Sequence, residues 1–162
     1  MVGQNTGAAL PARARRTAFV AVSIAFIGLS LIGLLVNIAP GLVLRVFTDD
    51  PAVQPIGTLY VRIVGLSYGF FGVMIVLAGA FRGAGDVLMA TIIPVVSLWL
   101  FRVPLALALS RWAGLGPMGV WVAVALSAFL GAAASLAYYR WGPWQRKAVV
   151  GPELAPDLAA TK

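Results

Sequence analysis

From Thr17 to Leu44 the chain runs 28 residues without a charged side chain. Two further charge-free runs, 19 residues between Arg62 and Arg82 and 15 between Asp86 and Arg102, flank a short glycine-rich joint, Gly79-Ala80-Phe81-Arg82-Gly83-Ala84-Gly85-Asp86. A helix needs about 20 apolar residues to cross the hydrocarbon of a bilayer, so runs of this kind are read as membrane spans. A soluble fold would have to hide them, and with 61% apolar and only 10% charged residues in 162 the chain lacks the polar surface to do so. The expected class is therefore all-α, an integral membrane helical bundle, and the joint is expected to lie where apolar chain surfaces into water.

The same composition removes several chemistries. Cys and His are both absent, which excludes disulfide frameworks, thiolate nucleophiles and the usual zinc or haem ligands. All five acidic residues (Asp49, Asp50, Asp86, Glu153 and Asp157) fall outside the apolar runs. That leaves no acid, base or nucleophile at membrane depth and argues against an enzyme. A net charge of +7 raises the question of nucleic acid. The positive residues, however, are dispersed at the ends of the apolar runs, as a bilayer imposes on loop charge, so no nucleic-acid partner is expected.

Four spans are expected, at about 18–38, 59–81, 88–109 and 118–139, with an N-terminal segment 1–17 and a disordered tail 140–162. Arg15-Arg16 before an apolar run has the outline of a secretory signal, but the run is too long and no small-x-small cleavage pattern follows it. Pro40-Gly41 ends the first span, and Arg45, Asp49, Asp50, Pro51 and Pro55 mark a connector with Thr48 or Asp49 as a helix cap. In the second span Gly65, Gly69 and Gly72 form one smooth stripe for close helix approach. Pro94 and Pro104 predict a kinked or broken third span. The fourth carries Gly119, Ala123, Ser127, Gly131 and Ser135 every four residues, a ladder suited to packing against another helix, and Tyr138, Tyr139, Trp141 and Trp144 read as an aromatic belt at its exit.

Four spans put both termini and the joint on one side. That side holds Arg13, Arg15, Arg16, Arg82, Arg140, Arg146, Lys147 and Lys162, against Arg45 and Arg111 on the other. Positive charge concentrates on the cytoplasmic face, so both termini and the joint are expected in the cytoplasm of a multi-pass protein of the plasma (inner) membrane.

Five segments, taken together, resemble the last third of the multidrug and toxic compound extrusion (MATE) transporters. Gly3-Gln4-Asn5-x-Gly7-Ala8 with Ala12-Arg13-Ala14 is similar to a cytoplasmic segment of that family, Val46-Phe47-Thr48-Asp49-Asp50-Pro51 to an external turn, and Phe81-Arg82-Gly83-Ala84-Gly85-Asp86 to its most recognisable cytoplasmic loop. Trp99-x-x-Arg102-Val103-Pro104-Leu105-Ala106 and Gly114-Leu115-Gly116-x-x-Gly119-Val120-Trp121 fall where the last two helices carry similar patterns. Each motif alone is weak, and their order and spacing from Gly3 to Lys147 carry the likeness. The resemblance implies twelve membrane helices in two lobes, of which these four are the last, and export of small lipophilic cations in exchange for protons or sodium ions by alternating access. It implies as partners the N-terminal lobe or another transporter chain, besides the lipid bilayer. It implies a truncated or split chain, inactive alone, with no cofactor and with the coupling-ion site outside it, since Phe71 stands where some relatives place an acidic residue. The competing reading is a non-transporting membrane subunit or helical assembly module.

Candidate cavity residues are Tyr68, Phe71, Met74, Trp99 and Arg102, whose π faces and soft surfaces suit a lipophilic cation. The alternative for the aromatics is contact with lipid or neighbouring helices. For Arg102 the favoured alternative is snorkelling outward or bonding carbonyls freed by Pro104. In the loop motif, Arg82 and Asp86, set among Gly83 and Gly85, are expected to form an ion pair or a helix cap.

Overall fold

A computed structural model describes residues 1–8 and 10–144; the expected tail from 145 onward lies outside them. The described chain is an all-α helical bundle. Among the described residues three helices are long and apolar enough to cross a membrane, Pro11–Ile38, Val87–Trp112 and Pro117–Trp141, and the bent pair Val53–Gly65 and Tyr68–Gly83 passes the same test when taken together as one span. A short helix, Val2–Gly7, precedes the first span, and another, Pro40–Arg45, follows it.

Pro11 opens the first span at a position where its missing N–H costs nothing, so the helix begins well before the apolar run and Arg13, Arg15 and Arg16 ride on its first turns. The connector after it is shorter than its composition suggests. Asp50 Oδ1 accepts from the Ala52 N–H at 2.8 Å and the Asp50 carbonyl accepts from the Val53 N–H at 3.1 Å, so Asp50 starts the next helix at Val53.

The expected continuous second span is bent instead, by 50° at Leu66-Ser67. Small residues, Gly65, Ser67 and Gly69, surround the break, and two side chains take up backbone carbonyls there. Ser67 Oγ donates to the Val64 carbonyl at 2.7 Å, and Asn37 Nδ2, from the first span, donates to the Arg62 carbonyl at 3.2 Å and the Gly33 carbonyl at 3.3 Å. The glycine stripe does what its spacing suggested. A Cβ at Gly33 would collide with the Gly65 carbonyl oxygen, one at Gly69 with Ser30 Oγ, and one at Gly72 would lie 2.6 Å from Leu29 Cδ1. Only backbones without side chains let these helices approach so closely.

The third span is not broken at its prolines. It continues through Pro94 and Pro104 by widening into π-helical turns at Ser97–Arg102 and Ala108–Trp112, which redistribute the carbonyls that proline leaves without a donor. The fourth span buries every member of its ladder, Gly119, Ala123, Ser127, Gly131 and Ser135. A Cβ at Gly119 would lie 2.6 Å from the Leu109 carbonyl carbon and the Ser110 nitrogen of the third span. Tyr68–Gly83 thus packs between the first and fourth spans, with the third against the fourth.

Candidate functional site

Two polar constellations occupy this bundle, one at membrane depth and one at the joint. In the first, Arg102 Nε donates to Ser127 Oγ at 2.8 Å, and that hydroxyl donates onward to the Val124 carbonyl at 2.9 Å. Ser97 Oγ, buried one π-turn before Arg102, donates to the Ser127 carbonyl at 2.7 Å. The guanidinium also lies 5.4 Å from the centroid of the Phe71 ring, whose negative face attracts it. Arg102 therefore has a side-chain partner on the fourth span. It turns inward and ties the third span to the fourth and second. Gly131 makes this possible, because a Cβ there would sit 2.6 Å from Met74 Sδ and 2.7 Å from Ser97 Oγ.

Of the five candidate cavity residues, Phe71, Met74 and Arg102 converge here. Tyr68 lies elsewhere, against the first span beside Gly33, and Trp99 is 66% exposed on the outer surface of the third span. Nothing in the sequence pattern singles out Ser97 or Asn37, and the small-residue ladder marks Ser127 only for packing. The available signal was polarity inside apolar runs, where a hydroxyl or amide must find a partner.

The second constellation is the joint. The helix Tyr68–Gly83 stops in a Schellman arrangement: the Asp86 N–H donates to the Phe81 carbonyl at 2.8 Å and the Gly85 N–H to the Arg82 carbonyl at 3.0 Å. This requires Gly85 at φ +86°, a conformation that a side chain disfavours. Asp86 then caps the third span, accepting from the Met89 N–H at 3.4 Å. The expectation that the joint surfaces into water holds for Arg82, Gly83 and Gly85 but not for its carboxylate. Asp86 is 1% exposed and accepts a hydrogen bond from the Tyr138 hydroxyl. Arg82 stays exposed, its Nε donating to the Ala78 carbonyl at 3.2 Å.

Aromatic rings close over this carboxylate. Phe81 meets Tyr138 edge-on at 5.1 Å and Trp144 at 5.7 Å, and Trp144 stacks on Tyr139 at 5.7 Å while donating to the Tyr139 carbonyl at 3.0 Å. Trp144, placed by sequence in an interfacial belt and at the start of a tail, is fully buried in the core. The helix Val2–Gly7 covers the joint from the other side, so closely that a Cβ on Gly3 would lie 2.5 Å from the Gly83 carbonyl oxygen.

A family model described as MatE matches residues 1–108, two thirds of the chain. The chain belongs to the MatE family. Among its relatives, "Probable multidrug resistance protein NorM" of Thermotoga maritima is 30% identical over 127 residues, 78% of this chain and 27% of the relative. "Probable multidrug resistance protein YpnP" of Bacillus subtilis is 31% identical over 102 residues, 63% of this chain and 22% of the relative. Human "Multidrug and toxin extrusion protein 2" is 26% identical over 145 residues, covering 89% and 24% respectively. The chain thus spans about a quarter of the length of the curated relatives it matches. No solved structure matches it. The MatE match includes the joint and Arg102, so both constellations described above involve residues within it.

Proposed function

We propose that this chain acts as the last four membrane helices of a multidrug efflux antiporter, exporting organic cations against protons or sodium ions by alternating access. The family assignment carries the reading. The bundle's polar chemistry supports a division of labour within it. The guanidinium of Arg102 is held by Ser127 and the Phe71 ring, which makes it a brace between helices rather than a free charge facing cargo. No Asp or Glu falls in the charge-free runs, and Asp86 serves as a helix cap at the joint, so the coupling ion binds on elements outside this chain.

On this reading the brace and the capped joint make the third and fourth spans and the lower arm of the second one rigid unit. Such units rock against a partner lobe in alternating access. The bend at Leu66-Ser67 sets the upper arm, Val53–Gly65, apart from that unit.

Two reconstitutions test the proposal. The chain alone in liposomes, given an imposed proton or sodium gradient, is expected to leave ethidium efflux at the level of empty vesicles. A chimera in which the chain replaces the matched quarter of the Thermotoga maritima relative is expected to restore gradient-dependent efflux in cells lacking their own exporters. Efflux by the chain alone would place the coupling site within it, and a well-inserted but silent chimera would oppose a transport role.

A further inference from the structure

The first span begins and the fourth span ends on the same side of the bundle, and Arg15, Arg16 and Arg140 line one groove there over an apolar shelf. Arg15 and Arg16 from the first span and Arg140 from the fourth line an open groove of about 580 Å³, together with Tyr139, Phe19 and Leu136. Among the described residues, no acidic side chain lines it. Its wall is a built contact between the two helices. The Tyr139 hydroxyl donates to the Arg15 carbonyl at 3.0 Å, and the Arg15 guanidinium lies 5.5 Å from the centroid of the Tyr139 ring. On the fourth span Tyr139 is in turn stacked on the buried Trp144, which fixes the wall to the core.

Charge and hydrophobicity are layered in this groove as they are at a membrane surface. Phe19 follows Arg15 and Arg16 by about one helical turn, and Leu136 precedes Arg140 by about one turn, a rise of about 5 Å in each case. Both apolar residues are outward-facing, Phe19 at 60% and Leu136 at 43% exposure. A ligand filling the groove would therefore set anionic oxygens on the guanidiniums and hydrocarbon on the shelf beneath. Guanidinium groups bind phosphate oxygens in a two-pronged geometry, and basic pockets between membrane helices hold anionic lipid head groups. A free phosphate ion has the right charge but no use for Phe19 and Leu136.

We propose that this groove binds an anionic phospholipid, its phosphate on Arg15, Arg16 and Arg140 and an acyl chain along Phe19 and Leu136. Lipid seated there bridges the first and fourth spans and holds the two ends of the bundle together. The site is independent of any transported cargo and stands whether or not the chain takes part in efflux.

The full chain, purified in a neutral detergent, is titrated with dioleoyl phosphatidylglycerol, dioleoyl phosphatidylcholine or inorganic phosphate, with retained lipid read by native mass spectrometry and melting by thermal denaturation. The variant R16Q/R140Q removes two of the three charges and leaves the Arg15–Tyr139 contact in place; R13Q/R82Q removes two charges from the same side that do not line the groove. Phosphatidylglycerol is expected to be retained and to raise the melting temperature for the natural chain and for R13Q/R82Q, with at least about tenfold weaker binding to R16Q/R140Q, since each cation near an anionic lipid surface contributes appreciably. Equal retention of phosphatidylcholine, equal loss in both variants, or the same melting shift from inorganic phosphate would each overturn the proposal. If R16Q/R140Q fails to fold, R16K/R140K keeps the charge without the planar fork, and its binding phosphatidylglycerol no better than phosphatidylcholine would overturn it as well.

Discussion

Replacing Gly33 by Ala adds one methyl group where the first and second spans meet backbone to backbone, and Gly28 on the same helix supplies its control. A Cβ at Gly33 would meet the Gly65 carbonyl oxygen directly and lie 3.1 Å from the Gly65 carbonyl carbon, whereas nothing stands within 4 Å of one at Gly28. Carbon atoms pack best at ~3.5–4.0 Å, so the first and second spans would have to separate by roughly 0.5 Å or more. The obstacle is backbone and cannot rotate away. Separation would also stretch the bond from Asn37 to the Arg62 carbonyl that accompanies the bend. Both substitutions gain the same helix propensity, up to about 1 kcal/mol, so that term cancels in their difference. What remains is the overpacking cost, about 1–3 kcal/mol. Reversible unfolding in mixed dodecyl sulfate micelles should therefore show Gly28→Ala as neutral or stabilised and Gly33→Ala as less stable than Gly28→Ala by that amount. Equal stabilities would refute the backbone contact between Gly33 and Gly65.

The brace at membrane depth makes a second prediction. Ser127→Ala removes the acceptor of Arg102 while leaving the main-chain carbonyl that Ser97 uses, and should cost about 1–2 kcal/mol; a double-mutant cycle with Arg102→Met should show a coupling of about 0.5–2 kcal/mol, and strict additivity would count against the bond. At the joint, Tyr138→Phe should destabilise by about 1.5–3 kcal/mol, because it takes a hydrogen bond from the buried Asp86 carboxylate while keeping the edge contact with Phe81. Tyr139→Phe, whose hydroxyl meets an exposed carbonyl, should cost at most about 0.5 kcal/mol in the same unfolding assay. For topology, cysteines at exposed Asp49 and Arg82 should react with a membrane-impermeant maleimide from outside and inside the cell respectively, and the reverse pattern would overturn the charge argument.

Much of this molecule is written in one dimension. Charge-free runs long enough to cross a bilayer dictate helices, because a backbone in hydrocarbon must satisfy its own hydrogen bonds, and the glycine and small-residue stripes mark the faces those helices turn to one another. The Gly85-Asp86 pair likewise announces a helix stop followed by a helix start. Sequence could not say which way Arg102 points. A guanidinium on a flexible stem reaches the membrane surface or a neighbouring helix equally well, and only the presence of Ser127 and Phe71 across the π-widened turn decides it. Nor could it show that Asp86 is buried, since the cover comes from Tyr138 at the far end of another span, or that Trp144 belongs to the core. Membrane crossing and helix pairing follow from local periodicity and side-chain size. The fate of each buried polar group depends on a partner distant in sequence, and only tertiary structure supplies it.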